Sequence, residues 1–405
     1  MNISKSICSI AIIISVFTSV RCSAASDAAP QSAGASSTFD SVIEQQMSEV
    51  GIMGLAAAII VDKQVVWMKG YGFADKQREA PFTPDTVMKV ASIAKPFTGV
   101  AMMRAVHDGK LSLDEDINKY LPFRVVNPHY PKEKITLRHL ATHSSSITDR
   151  WEAYGSTYHY GGDSPEPLGS FLEDYFALDG KHYSPDNFLD AKPGSQRDYS
   201  NIGAGLAGFI VERAVGEPLN VYTRTHIFKP LQMKRSGWFL SEVDPKNLST
   251  LYVAQDGFSI PIQYYGDTTY PGGGLLTSVA DLSKFFIALL NGGEYQGSRI
   301  LDADSTEEML RFQFNDANRL ENFPAADGNS GLFWRTKYNG TLIGHGGNDP
   351  GVQTVMLSDL SKEVGVILFL NTSLSEADQG ASEKIFGALW KHAASLKKPT
   401  KATTE

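Results

Sequence analysis

Two sets of strand-like segments stand at opposite ends of this chain, and they limit its architecture more than any other feature. Near the start, residues 55–61 and 65–70 are apolar runs split by the turn-like Asp62-Lys63-Gln64, the pattern of an antiparallel hairpin. Near the end, residues 341–344, 352–357 and 364–370 bring the strand signal back. Between them run helical periodicities, clearest at 202–215 and at 281–290, the latter capped by Thr277 or Ser278. Hairpins do not fit the strict strand–helix alternation of a parallel sheet. The expectation is an α+β chain: a three-layer α/β/α sandwich whose antiparallel β-sheet is built from both chain termini. Helices at 39–50 and 377–396 would flank it, with a mainly helical second lobe. The sandwich lobe is expected to comprise 39–106 and 291–396, and the helical lobe 107–290. A length of 405 residues allows one large domain or two packed closely.

The first 25 residues read as an export signal, with Lys5 at the start, an apolar run over 7–20, and Ser23-Ala24-Ala25 for cleavage. That run is short for a bilayer span, and Arg21 is a poor neighbour for lipidation at Cys22. Residues 26–38, rich in Ala, Ser, Pro and Gly, read as a disordered linker, and 397–405 as a polar tail. Cleavage removes both cysteines, Cys8 and Cys22, so disulfides and thiolate chemistry drop out of the mature protein. It also takes the formal charge from −8 to −10. An acidic chain without a basic stripe is not a nucleic-acid binder. The expectation is an exported protein, periplasmic or secreted.

Chemistry first shows at Ser92-Ile93-Ala94-Lys95. On a helix, a lysine three residues after a serine lies on the same face, with its ammonium in reach of the hydroxyl. A serine hydroxyl is a poor nucleophile until a neighbour takes its proton or stabilises its alkoxide. Alone, S-x-x-K is weak, and Ser395-Leu396-Lys397-Lys398 fits it too. What distinguishes Ser92 is the order of features downstream. Tyr199-Ser200-Asn201 opens the small-residue helix, and His345-Gly346-Gly347-Asn348 closes a strand in glycines that let a ligand approach the backbone.

These stretches resemble the serine β-lactamase-like superfamily, in the branch that holds class C β-lactamases, DD-peptidases, family VIII carboxylesterases and D-amino-acid peptidases. Residues 135–145, Pro271-Gly272-Gly273-Gly274 and Asp281-Leu282 add to the likeness, which spans roughly 40–392. The resemblance implies the β-lactamase/transpeptidase-like fold and an active site between the lobes. It makes Ser92 the acylated nucleophile, with Lys95 assisting its deprotonation. Tyr199 would shuttle the proton to the leaving group, although a tyrosine ordinarily titrates near about 10 and needs cations beside it. Asn201, His345, Gly346 and Gly347 would bind substrate. The backbone N–H groups of Ser92 and Asn348 would form an oxyanion hole, worth about 3 kcal/mol per donor.

One departure bears on substrate. The β-lactamases of this group usually carry Lys-Thr-Gly where this chain has His345-Gly346-Gly347. A permanent ammonium there helps bind a penicillin carboxylate, and histidine is mostly neutral at pH 7. The implied activity is therefore a serine hydrolase acting on carboxylic esters or D-amino-acid amides and peptides. A β-lactamase or DD-peptidase, an acyltransferase, and a non-catalytic penicillin-recognising scaffold stay open. The partner is a small-molecule or peptide substrate. No cofactor is expected, and no P-loop is present. No metal is expected either: His139 and His143 stand four apart without the glutamate of H-E-x-x-H. The aromatics Trp151, Tyr154, Tyr158, Tyr160, Phe171 and Tyr175 lie in a long stretch, 151–193, without clear periodicity. They either line the cleft or pack beneath that stretch.

Overall fold

The computed structural model describes residues 38–255 and 258–397. The expected export signal, the expected linker up to residue 37 and the expected tail from 398 lie outside the described residues. The central strand β1, Gly54–Val61, has the sequence GLAAAIIV and is buried along its whole length. A strand apolar on both faces requires cover on both. Its pleat sends Leu55, Ala57, Ile59 and Val61 into one hydrophobic cluster, and Ala56, Ala58 and Ile60 into the other.

The remaining strands of this sheet are β2 (Gln64–Asp75), β3 (Ala80–Pro81), β4 (Arg335–Lys337), β5 (Leu342–Asp349), β6 (Val352–Asp359) and β7 (Val364–Leu370). They form one seven-stranded sheet in the order β4-β5-β6-β7-β1-β2-β3, and every neighbouring pair is antiparallel. The two chain ends meet where Leu55 lies opposite Leu370 and Val61 opposite Val364. The sheet is therefore assembled from both termini.

The first helix, α1 (Thr38–Val50), packs against the last long one (Gln379–Leu396), and Ile43, Met47, Ile385 and Leu389 cover the outer sheet face. On the inner face lies Val279–Leu290, capped by Ser278, whose Oγ accepts from Asp281 N at 3.2 Å. It packs on β1, β2 and β7, so this part of 107–290 belongs to the sandwich packing. Next to it runs α2, Ala94–His107, where Phe97 stacks on Phe285 with 3.6 Å between ring centroids.

Two expectations need correction. The glycines after His345 lie inside β5, which continues to Asp349, because the ladder with β6 is unbroken from Leu342 to Asp349. The stretch 151–193 is not devoid of structure. It contains the helix Leu168–Phe176, whose apolar residues recur at helical spacing but over too few turns to show a period among Gly and Pro. The middle of the chain also carries strands: Leu251–Gln255 pairs with Phe258–Ile262 and with Thr372–Ser373, and Pro261 falls on the edge strand.

Candidate active site

Ser92 sits in a single 3₁₀ turn, Ala91–Ile93, which runs straight into α2. Ala91 before it has φ +49°, a left-handed conformation unusual for a residue with a Cβ. That kink turns the start of α2 toward β5. Thr354 on β6 ties the kink down by donating its Oγ1 hydrogen to Val90 O at 2.9 Å.

Gly347 explains how the sheet comes this close. A Cβ there would lie 2.4 Å from Val90 O, 2.5 Å from Thr354 Oγ1 and 3.0 Å from the Ala91 methyl. Only a strand without a side chain at this point can pass the Ser92 turn. Gly346 is under no such constraint, since its nearest neighbour would be Thr354 O at 3.3 Å.

Lys95 is fully buried, and its ammonium has three acceptors: Ser92 Oγ at 3.1 Å, Asn201 Oδ1 at 2.7 Å and Gly272 O at 2.6 Å. A buried ammonium is tolerable only when its donors are matched in this way. Nζ also lies 4.8 Å from the centroid of the Tyr199 ring. The Gly272 carbonyl was not read from sequence as part of a site; the turn 271–274 promised only a tight bend. The small residues of α3 (Asn201–Val215) bring it there. A Cβ on Gly208 would meet Pro271 Cβ at 2.4 Å, so glycine lets this helix press against the turn that presents Gly272 O.

Asn201 is not the cap of α3. Ser200 holds that position, its Oγ accepting from Gly203 N at 2.8 Å, which frees the Asn201 side chain to face Lys95. Asp149 fixes it there. Its carboxylate accepts from Asn201 N at 2.7 Å, Asn201 Nδ2 at 3.0 Å, Ser200 Oγ at 2.7 Å and Ile202 N at 3.0 Å. With Nδ2 turned to Asp149, Oδ1 can only face Lys95. Burial raises the Asp149 carboxyl above its ordinary range, against the lowering effect of those hydrogen bonds and of Lys95. No spacing in the sequence connects position 149 with 201.

Two imidazoles flank Tyr199, His143 at 4.2 Å and His345 at 6.4 Å between ring centroids. Burial, followed by nearby cations, holds both well below the usual histidine range, so both are neutral. His345 Nδ1 donates to Gly346 O at 2.7 Å, and His143 Nδ1 accepts from Ser200 N at 3.3 Å. His345 is 2% exposed and therefore backs the cleft more than it lines it. Among the described residues no group of three or more His, Cys, Asp or Glu is placed to hold a metal ion.

Ser92, Tyr199, Gly346, Gly347 and Asn348 line one cleft of about 450 Å³. Asn348 also borders a second cavity, about 520 Å³, walled by Trp151, Tyr158 and Tyr160. The long stretch thus divides: those three aromatics face a cavity, whereas Phe171 and Tyr175 are core. The end of β5 is held beside this cavity by Asp349, which accepts from Tyr158 OH at 2.8 Å and lies 3.9 Å from the buried Lys89 ammonium.

Protein flp of Staphylococcus aureus (strain MW2) is 24% identical over 336 residues, 82% of this chain and 62% of its own length. Esterase EstB of Burkholderia gladioli is 29% identical over 228 residues, 56% of each protein. The chain thus spans less than two thirds of either relative. The solved structure of the octameric penicillin-binding protein homologue from Pyrococcus abyssi has a TM-score of 0.68 and 28% identity, covering 90% of this chain and 78% of that one. The Beta-lactamase family model matches residues 39–388, from the first helix through every strand of the large sheet. With the fold, the order of its strands and that match in agreement, this chain belongs to the Beta-lactamase family, a family of serine hydrolases.

Proposed function

We propose that the protein is an exported hydrolase that forms an acyl-enzyme on Ser92 and acts on carboxylic esters or D-amino-acid amides. The observation that carries this reading is the coordination of Lys95. All three of its hydrogens point to acceptors, one of them Ser92 Oγ. The serine oxygen therefore accepts from Lys95, and its own proton must leave toward another group. Tyr199, beside the ammonium, is the base in this scheme.

Ser92 Oγ bonds to the acyl carbon while its proton passes to the Tyr199 oxygen. The C–O or C–N bond to the leaving group then breaks, and Tyr199 returns the proton to the departing oxygen or nitrogen. Water repeats the sequence in reverse roles and frees the acid. The N–H groups of Ser92 and Asn348 hold the carbonyl oxygen as it gains charge, and Asn201 orients the acyl portion. A neutral, buried His345 on β5 favours an ester or amide substrate over a penicillin.

The test is a pair of initial rates, on p-nitrophenyl butyrate and on nitrocefin, for wild type and Ser92→Ala. Ester turnover that vanishes in the variant, with little nitrocefin hydrolysis, is the expected result. Undiminished ester turnover by Ser92→Ala would overturn the acyl-enzyme. A faster nitrocefin rate would make the protein a β-lactamase despite His345.

A further inference from the structure

The two N–H groups proposed to hold the carbonyl oxygen come from separate segments. Ser92 follows the short strand Met88–Lys89, which pairs with Leu276–Thr277, and Asn348 stands near the end of β5. Tertiary contacts alone set the distance between them. Each segment carries an enclosed charge beside its N–H. Lys89, three residues before Ser92, is 2% exposed, and Asp349 directly follows Asn348, its side chain 11% exposed. The Lys89 ammonium lies 3.9 Å from Asp349 Oδ2, so this ion pair reaches from one segment to the other.

Both ends of the pair are held from the same side. Lys89 N donates to Tyr264 OH at 3.3 Å, and Nζ lies 4.2 Å from the centroid of the Tyr265 ring. Asp349 Oδ1 accepts from Tyr158 OH at 2.8 Å, and Tyr265 OH donates to Pro350 O at 3.0 Å. Tyr158 and Tyr265 belong to two short strands, Tyr158–Tyr160 and Tyr265–Asp267, that pair with each other. The Ser92 turn has a second tie, from Thr354 Oγ1 to Val90 O at 2.9 Å. It is thereby fixed to β6 through Val90 and to the end of β5 through Lys89.

Stability is a poor reason for such a pair. A buried ion pair seldom stabilises more than apolar packing of the same volume, because desolvation offsets the attraction. Burial pushes the Asp349 carboxyl up, Lys89 opposes that, and a second carboxylate, Asp267, adds to it. What the pair does supply, in a medium of low dielectric, is an attraction that resists any widening of the gap it spans. We infer that Lys89 and Asp349 are positioning residues, which set the separation of the Ser92 and Asn348 N–H groups to suit the oxygen as it gains charge. This rests on the acyl-enzyme reading of Ser92. Neither residue lines the Ser92 cleft: Lys89 is enclosed, and Asp349 faces the neighbouring cavity of about 520 Å³. Their influence should therefore fall on kcat rather than on substrate binding.

The test compares wild type with Asp349→Asn, Lys89→Met and the double variant. Three readouts are taken: urea unfolding, turnover of p-nitrophenyl butyrate with Ser92→Ala as the control, and inhibition by phenylboronic acid. Boron takes up the serine oxygen and becomes tetrahedral, which puts a boronate oxygen where the charged carbonyl oxygen would lie. Each single variant leaves one charge of the pair alone and should lose stability, and the double variant, which removes both, should regain part of it. In all three, kcat should fall at least about tenfold and the boronate should bind at least about tenfold more weakly, while KM changes less than about threefold. Recovery of kcat together with stability in the double variant would make the pair structural only and overturn the inference. A wild-type kcat in Asp349→Asn would do the same; this change keeps an acceptor for Tyr158 and decides the matter should Lys89→Met not fold. So would a loss confined to KM. In each of these cases the Ser92-dependent turnover of wild type persists and the acyl-enzyme reading stands. Turnover undiminished in Ser92→Ala, or none by wild type, removes that reading and the inference with it.

Discussion

Adjacent glycines on β5 should respond very differently to alanine. At Gly347 the added methyl would stand 2.4 Å from Val90 O and 2.5 Å from Thr354 Oγ1. The hydroxyl cannot rotate away freely, because it holds Val90 O at 2.9 Å. The Val90–Ala91 backbone must therefore retreat, by at least about 0.6 Å to restore a tolerable contact with Val90 O. Ala91 is already in a left-handed conformation, so it has little freedom to absorb the shift. Overpacking of this kind costs about 1–3 kcal/mol. Because the displaced residues immediately precede Ser92, a movement approaching about 1 Å should cost roughly tenfold to a hundredfold in kcat. Gly346→Ala meets only Thr354 O, at 3.3 Å, and should lose no more than about 0.5 kcal/mol. Urea unfolding of both variants, with ester kinetics for Gly347→Ala, makes the comparison. Equal stability losses at the two positions, or a wild-type kcat in Gly347→Ala, would refute the claim that the closeness of β5 to the Ser92 turn demands glycine.

Three further outcomes follow from the geometry. Asp149→Asn turns an N–H₂ or an oxygen toward four donors and releases the Asn201 amide; kcat should fall at least tenfold. Relief from burying a charge offsets part of the lost hydrogen bonding, so urea unfolding should show a stability change of less than about 2 kcal/mol. In Gly208→Ala the new methyl pushes on Pro271, withdrawing Gly272 O from Lys95, and both kcat and stability should drop, the latter by about 1–3 kcal/mol in denaturant unfolding. Lys337 is held down to about 8 by burial and by Arg335 and Arg197, below its ordinary 10.5. In that interval the unfolded chain binds the proton and the folded protein does not. Its contribution to stability should therefore rise as pH climbs from about 8 toward 10.5, a rise that urea unfolding of Lys337→Gln should lack.

The parts of this molecule visible in the sequence are those encoded over short distances. Apolar runs separated by a turn gave the hairpins of the sheet, and β1 is so uniformly apolar that it had to be central. Ser92, Lys95, Tyr199 and Asn201 stood out because each belongs to a short motif, and the fold brings Lys95 to Ser92, to Asn201 and beside Tyr199. Asp149 escaped notice because its meaning depends on α3 starting where it does. Gly272 contributes a carbonyl, which no side-chain pattern can announce. Arg197, Arg335 and Lys337 look like ordinary surface charge until the fold aligns β4 with the segment before Tyr199. Even the small residues of α3 were legible only as helix formers, although Gly208 is there to let Pro271 approach.

The two histidines complete the electrostatic logic of the site. If His143 or His345 carried a proton near neutral pH, Tyr199 would face a third cation besides Lys95 and Arg335. A protonated imidazole would also offer a competing acid next to the group proposed to shuttle the serine proton. Burial is the largest cause of neutrality at both rings, and nearby cations reinforce it: Lys95 and Arg197 at His143, Arg335 and Lys95 at His345. The cations around the site therefore help keep the imidazoles uncharged. Replacing His345 by lysine would put a new ammonium into this group in a position that is 2% exposed. The histidine is thus better understood as the residue that permits cations on β4 than as a weakened copy of a lysine on β5.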